Sequence, residues 1–203
     1  MPLIKTINER SREFAAGERT LDSSLSVRGF FEKIENMVAD ISGDLDKQAR
    51  LRTATDFDTL PFLPELRNAL IHLVRNTVDH GIEEPLEHNS VGKGETGIVE
   101  IKFRRMEDHM CEVLVGDDGR GIDMDSVKRK AGELGLLGEN ATRAQILGVL
   151  FSPKFSAKDS VSDISGRGVG LDAVHEIVEA LQGTISVATK MGEGTRFILR
   201  IPS

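Results

Sequence analysis

The sequence predicts an α+β fold, with amphipathic helices layered on one face of a mixed, mostly antiparallel sheet. Three observations carry this. Ile98 to Met106 and Cys111 to Gly116 alternate or run apolar on either side of Glu107-Asp108-His109, the pattern of a hairpin. Thr184 to Ala188 and Thr195 to Ile201 repeat that pattern around Lys190-Met191-Gly192-Glu193-Gly194. Elsewhere apolar residues recur at three- and four-residue steps, which is helix spacing. Strands that meet as hairpins, without a β-α-β rhythm, put the helices in a separate layer.

Each element follows from its local pattern. Residues 1 to 26 are weakly patterned and read as a tether or helical arm. Phe30, Phe31, Ile34, Met37, Val38 and Ile41 mark a helix from Val27, ended by Ser42-Gly43-Asp44. We therefore divide the chain into an N-terminal helical arm or linker, 1–44, and a main domain, 45–203. Leu51, Thr53 and Thr55 alternate with Arg52 and Ala54 in a short strand that turns between Asp56 and Pro64. A helix over 64–80 puts Leu66, Ala69, Leu70, Leu73, Val74, Thr77 and Val78 on one face. Asn68, His72, Arg75, Asn76 and Asp79 fall on the other. Gly81 suits a helix C-cap. After the first hairpin come short helices at 125–134 and 143–150, then a loop from Phe151 to Gly166 rich in Ser and Lys. A further helix, with Leu171, Val174, Ile177, Val178 and Leu181 on its apolar side, is ended by Gly183 before the closing strands.

Composition excludes several functions. The chain has 203 residues, 39% of them hydrophobic, enough for a core without staples. It carries 26 basic against 33 acidic residues, a net charge of −7, and no basic run interleaved with aromatics, which argues against a nucleic-acid surface. The single Cys111 lies in an apolar run and reads as a core residue, so neither a disulfide framework nor a cysteine zinc site is available. No uninterrupted apolar segment approaches the roughly 18 to 20 residues of a membrane span, and the N-terminus lacks an apolar signal region. The expectation is a cytoplasmic protein without membrane insertion.

The chemistry lies in two glycine boxes that follow the His72 helix: Asp117-Asp118-Gly119-Arg120-Gly121-Ile122-Asp123 and Gly166-Arg167-Gly168-Val169-Gly170-Leu171-Asp172. Glycine lets backbone approach a ligand closely, and N–H groups at a helix start attract phosphate oxygens. In that order the boxes describe an ATP pocket. Asp117, closing a strand, can accept a hydrogen bond from an exocyclic amino group and so select adenine; an Asp-Gly turn without ligand is the plain alternative. Gly119 and Gly121 would let a base lie against the backbone, while Gly166, Gly168 and Gly170 would aim N–H groups at phosphates, although tight turns use the same glycines. No G-x-x-x-x-G-K-[ST] run exists, which removes the P-loop reading. Asn76 offers a neutral oxygen suited to Mg²⁺, against the alternative of a helix-surface amide. His72, four residues earlier on the same stripe, can accept a proton. His80 would complete a His72/Asn76/His80 triplet, but Asn is a poor transition-metal ligand. Phe151 to Lys158, including Ser156, has apolar anchors around hydroxyls and lysines, the makings of a lid or of an ordinary solvated loop.

Taken together, His-Leu-Val-Arg-Asn-Thr-Val-Asp-His-Gly-Ile-Glu (72–83), the first box, Ser-Gly-Arg-Gly-Val-Gly-Leu-Asp (165–172) and Gly-Glu-Gly-Thr-Arg-Phe (192–197) resemble the ATP-binding domain of CheA-type chemotaxis histidine kinases, within the histidine-kinase, gyrase, Hsp90 and MutL superfamily. The resemblance covers about residues 45–203. It implies the Bergerat α/β sandwich, with Mg²⁺ on Asn76, adenine on Asp117, and His72 assisting phosphoryl transfer. Asp79, His80, Gly119, Gly121, Ser156, Gly166, Arg167, Gly168, Val169, Gly170 and Thr195 would line the nucleotide, Thr195 near its adenine end. It also implies transfer of the γ-phosphoryl group to a histidine on a separate phosphotransfer domain, with a response regulator and a CheW-like adaptor as partners of the full-length protein. No His precedes His72 and the chain closes after the last expected strand, so it reads as the catalytic module alone. A lysine frequent in the family shortly after the first box stands here as Ser126, removing one phosphate contact. The alternative is an ATP-binding regulatory module of the same fold with weak or no kinase activity. A hydrolase relative would want a carboxylate where His72 stands.

Overall fold

The computed structural model describes residues 26–156 and 170–203. Five strands form one sheet in the order β1-β2-β3-β5-β4: β1 Ala49–Thr55, β2 Gly97–Arg105, β3 Met110–Asp117, β4 Thr184–Lys190 and β5 Gly194–Pro202. β1 runs parallel to β2 and every other pair is antiparallel, so the sheet is mixed and mostly antiparallel as the two hairpin patterns predict. Register puts Ile101 opposite Val115 and Val115 opposite Phe197, and likewise Phe103, Val113 and Leu199 in one row. With a side-chain period of two, these rows share one face, and that face is buried. The other face carries Glu100 paired with Lys102 and Glu112 paired with Arg200.

Among the described residues, three helices cover the apolar face: α1 Val27–Asp44, α2 Leu63–Asn76 and, later in the chain, α7 Leu171–Ala180. α1 begins where Ser26 caps it by accepting from Gly29 N, and it buries Phe30, Ile34, Val38 and Ile41. These join Leu66, Leu70, Leu73, Val174 and the inward strand residues in a single cluster. The boundary drawn at residue 44 thus falls at the end of a helix that is packed within the common core.

The helix expected over 64–80 is regular only to Asn76. It continues as a π-turn, Thr77–Gly81, closed by Ile82 N donating to Thr77 O at 2.9 Å. Such single wide turns recur at functional sites. The Lys47 ammonium donates to Val78 O at 2.8 Å and Asp79 O at 2.6 Å, supplying a donor to carbonyls that the helix end leaves open. Gly81 does not take the positive φ of a C-cap glycine. It is small because a Cβ there would lie 3.0 Å from the Asp117 carboxylate. Gly183 differs in the same way: Gln182 takes the positive φ, 56°, and a Cβ on Gly183 would meet Arg200 O at 2.6 Å.

The other described helices are α3 Pro85–Ser90, α4 Met124–Glu133, α5 Arg143–Gly148 and α6 Pro153–Ser156, with a 3₁₀ turn Val149–Phe151 between the last two. Asp123 caps α4, accepting from the N–H groups of Asp125 and Ser126, and Thr142 with Gln145 forms a capping box on α5. Ala131, Val149, Leu150 and Phe155 make a second, smaller cluster, joined to the main one through Leu171. The loop expected from Phe151 is therefore helical at its start, and Phe155 is buried with the Lys130 ammonium 4.5 Å from its ring centroid. Burying an aromatic ring outweighs the solvation of the serines around it.

Candidate functional site

The site is built where the end of α2, the end of β3 and the start of β5 meet. On α2, Asn76 Nδ2 lies 2.9 Å from His72 Nε2. An amide nitrogen only donates, so Nε2 accepts and the ring proton sits on Nδ1. Burial, then the neighbouring Arg75, push His72 below the ordinary imidazole range. The ring is neutral at pH 7. Among the described residues, no donor reaches Asn76 Oδ1. Asp172, in the first turn of α7, bears electrostatically on His72, which sets the α7 N-terminus beside this end of α2.

Asp117 closes β3 and is 8% exposed. Its Oδ1 accepts from Gly119 N at 2.9 Å and Thr195 N at 3.2 Å. Burial raises the carboxyl from 3.8 to about 6 against the pull of those two hydrogen bonds. Both bonds fall on one oxygen, so Oδ2 is left without a protein donor among the described residues. A buried carboxylate with one unsatisfied oxygen is an acceptor awaiting a donor.

The first glycine box has a structural reason as well as a ligand-facing one. A Cβ on Gly119 would lie 2.1 Å from Gly81 O, and Arg120 N donates to that same carbonyl at 2.9 Å. Gly121 has φ +75°, and a Cβ there would meet Lys190 O at 2.3 Å. Gly194, φ +93°, would press a Cβ to 2.0 Å from Asp117 O. The box is thus clamped between the π-turn and the β4–β5 turn, which holds Asp117 in place.

Asn76 ends α2 with His72 one turn back on the same helix, Asp117 ends β3, Thr195 lies at the start of β5, and Gly119 and Gly121 lie in the loop that follows β3. Asp79 lies on the π-turn with its carbonyl taken by Lys47, and His80 is exposed. Among the described residues no group of three or more His, Cys, Asp or Glu could hold a metal. Ser156 ends α6, and Gly170 is the N-cap of α7 with no side-chain cap bond. Gly166, Arg167, Gly168 and Val169 lie outside the described residues. Sequence reasoning missed Lys47, Thr189 and a buried group behind the box: Lys93 Nζ bridges Glu83 Oε1 at 3.2 Å and Gly119 O at 2.7 Å, while His88 Nδ1 contacts Gly94 O at 2.8 Å. These residues sit in polar stretches whose pattern reads as solvent, and only folding turns them inward. Ser126 donates to Asp123 and completes the α4 cap.

Comparison with known proteins identifies the family. The family described as histidine kinase-, DNA gyrase B-, and HSP90-like ATPase matches residues 64–203. A chemotaxis protein CheA from Treponema pallidum is 41% identical over 177 residues, 85% of this chain and 22% of that protein. The sensor histidine kinase CheAY of Helicobacter pylori is 36% identical over 179 residues, 85% of this chain and 22% of its own length. The chain therefore spans about a fifth of the curated relatives it matches. In fold it is similar to full-length ShkA solved in complex with AMPPNP, with a TM-score of 0.58 at 16% identity, covering 98% of this chain and 35% of that one. No described helix is long and apolar enough to cross a membrane. On the family match and the CheA relatives, this chain belongs to the histidine kinase-, DNA gyrase B- and HSP90-like ATPase family, as an ATPase domain of the CheA type.

Proposed function

We propose that this chain is the ATP-binding catalytic unit of a protein histidine kinase, passing the γ-phosphoryl group of ATP to a histidine on a separate phosphotransfer domain in chemotaxis-like, two-component signalling. The observation that carries the reading is Asp117: a buried carboxylate, held by two backbone N–H groups on one oxygen, with the other oxygen free to take the adenine amino group. Phosphoryl transfer asks for positioning and charge stabilisation more than covalent chemistry. Gly170 and the first N–H groups of α7 supply donors for phosphate. Mg²⁺ fits the donor set: Asn76 has its amide nitrogen on His72, leaving a neutral oxygen of the kind this ion shares with phosphates and water. Bound there, the ion would neutralise phosphate charge. His72 is neutral, with its Nε2 lone pair held by Asn76 and its proton on Nδ1, so it can polarise the attacking group through Nδ1–H, and it accepts a proton only once the Asn76 bond is released. A response regulator and a CheW-like adaptor are the partners this reading implies for the longer protein.

The test is transfer itself. Supplied with labelled ATP, magnesium and a phosphotransfer domain, the chain should yield acid-labile, base-stable phosphohistidine on that domain. Nucleotide binding without transfer would leave a regulatory module of the same fold.

A further inference from the structure

Thr189 and Thr195 are both buried, face each other across the β4–β5 pair, and their hydroxyls are 3.1 Å apart. Thr189 Oγ1 has two further contacts: Ile122 N donates to it at 2.9 Å, and it donates to Gly194 O at 3.1 Å. A hydroxyl has one proton and two lone pairs. The Ile122 N–H can only donate and the Gly194 carbonyl can only accept. All three contacts are met by one assignment: the Thr189 proton goes to Gly194, one lone pair takes Ile122, and the other takes the Thr195 hydroxyl proton. The Thr195 backbone N–H is already committed to Asp117 Oδ1. Thr195 therefore has no donor left, and it stands beside a carboxylate that also only accepts.

We propose that Thr189 is a positioning residue for base selectivity: it holds the Thr195 hydroxyl as an acceptor, so that this end of the site takes a doubly donating exocyclic amino group and rejects a 6-oxo group. The inference rests on Asp117 being the base-contacting carboxylate. It also assigns a purpose to the contacts of the first box, because Ile122 ties that box to the same hydroxyl. A 6-oxo purine would set its carbonyl lone pairs against two acceptors, and buried polar groups left unpaired discriminate strongly.

The experiment is calorimetric titration of ADP and IDP into the full chain and into Thr189→Val, Thr189→Ser, Thr195→Val and the double valine variant. Wild type should prefer ADP. Thr189→Val frees the Thr195 hydroxyl to donate, so the ADP-to-IDP affinity ratio should fall about fivefold to tenfold, the scale of one hydrogen bond. Thr189→Ser, which keeps the hydroxyl, should restore it. In the Thr195→Val background, Thr189→Val should leave the ratio unchanged, since the residue through which it acts is gone. Should Thr189→Val not fold, Thr195→Val alone must still lower the ratio by weakening ADP. Equal weakening of both nucleotides by Thr189→Val, or a shifted ratio that persists without the Thr195 hydroxyl, overturns the proposal. A wild type that binds both nucleotides equally overturns the Asp117 reading as well, and that result is distinct from either.

Discussion

Replacing Asp117 by Asn separates the two demands placed on this carboxyl. In the folded protein without nucleotide, burial raises it from 3.8 to about 6. The folded state therefore binds protons more tightly than the unfolded one between those values, and stability falls as pH rises through that window. Above pH 6 the full cost is present, and the difference corresponds to on the order of 3 kcal/mol. Asn does not titrate, and its side-chain carbonyl can still accept from Gly119 N and Thr195 N, which now meet Oδ1 at 2.9 and 3.2 Å. Allowing for weaker bonds to a neutral acceptor, the variant should be more stable than wild type by about 1–3 kcal/mol at pH 7.5, a melting rise of roughly 2–10 °C. At pH 4 the gap should close. Nucleotide binding should move the other way, with ADP weakened about tenfold to a hundredfold by loss of a charge-assisted bond. Thermal unfolding at the two pH values, beside calorimetry with ADP, reads both. Equal destabilisation at pH 4 and 7.5 would refute the reasoning, because the carboxylate would then be an ordinary structural acceptor.

Gly119→Ala drives a Cβ to 2.1 Å from Gly81 O, so it should cost about 1–3 kcal/mol or more without any nucleotide present, whereas Gly148→Ala, with nothing within 4 Å, should be neutral or slightly stabilising. Unfolding curves of the two nucleotide-free variants compare them directly. Asn76→Asp replaces the donor on His72 Nε2 with a carboxylate. The wild-type ring should titrate below 6.5 by NMR, and in the variant its titration should move upward; an unmoved signal would break the proposed pairing. Lys47→Met removes two hydrogen bonds to the π-turn carbonyls and should cost about 1–3 kcal/mol while speeding amide exchange over 77–81. Unchanged exchange there would show that the turn holds without Lys47.

Much of the architecture was readable before the fold, because period and punctuation are local properties. The alternation of Val99, Ile101 and Phe103 against Val113 and Val115 specifies both a strand pair and its buried face, and helix spacing marks α1, α2 and α7. Asp117 and Gly119 were legible for a similar reason: a carboxylate ending a strand before glycines is a local motif. Glycines 81 and 183 were harder. Their sequence position suggests helix caps, but what excludes a side chain there is Asp117 in one case and Arg200 O in the other, both distant in the chain.

The sequence by itself determined the element types, the α+β layering and the residue kinds of a nucleotide site, since these depend on side-chain period and on the chemistry of neighbours a few residues away. Tertiary structure alone decided which atoms of those residues remain available. Asp117 keeps Oδ2 because two N–H groups converge on Oδ1. Thr195 offers lone pairs because Thr189, across a strand pair, receives its proton. Hydrogen-bond capacity is finite, and how it is divided among partners depends on distances between segments that no local pattern encodes.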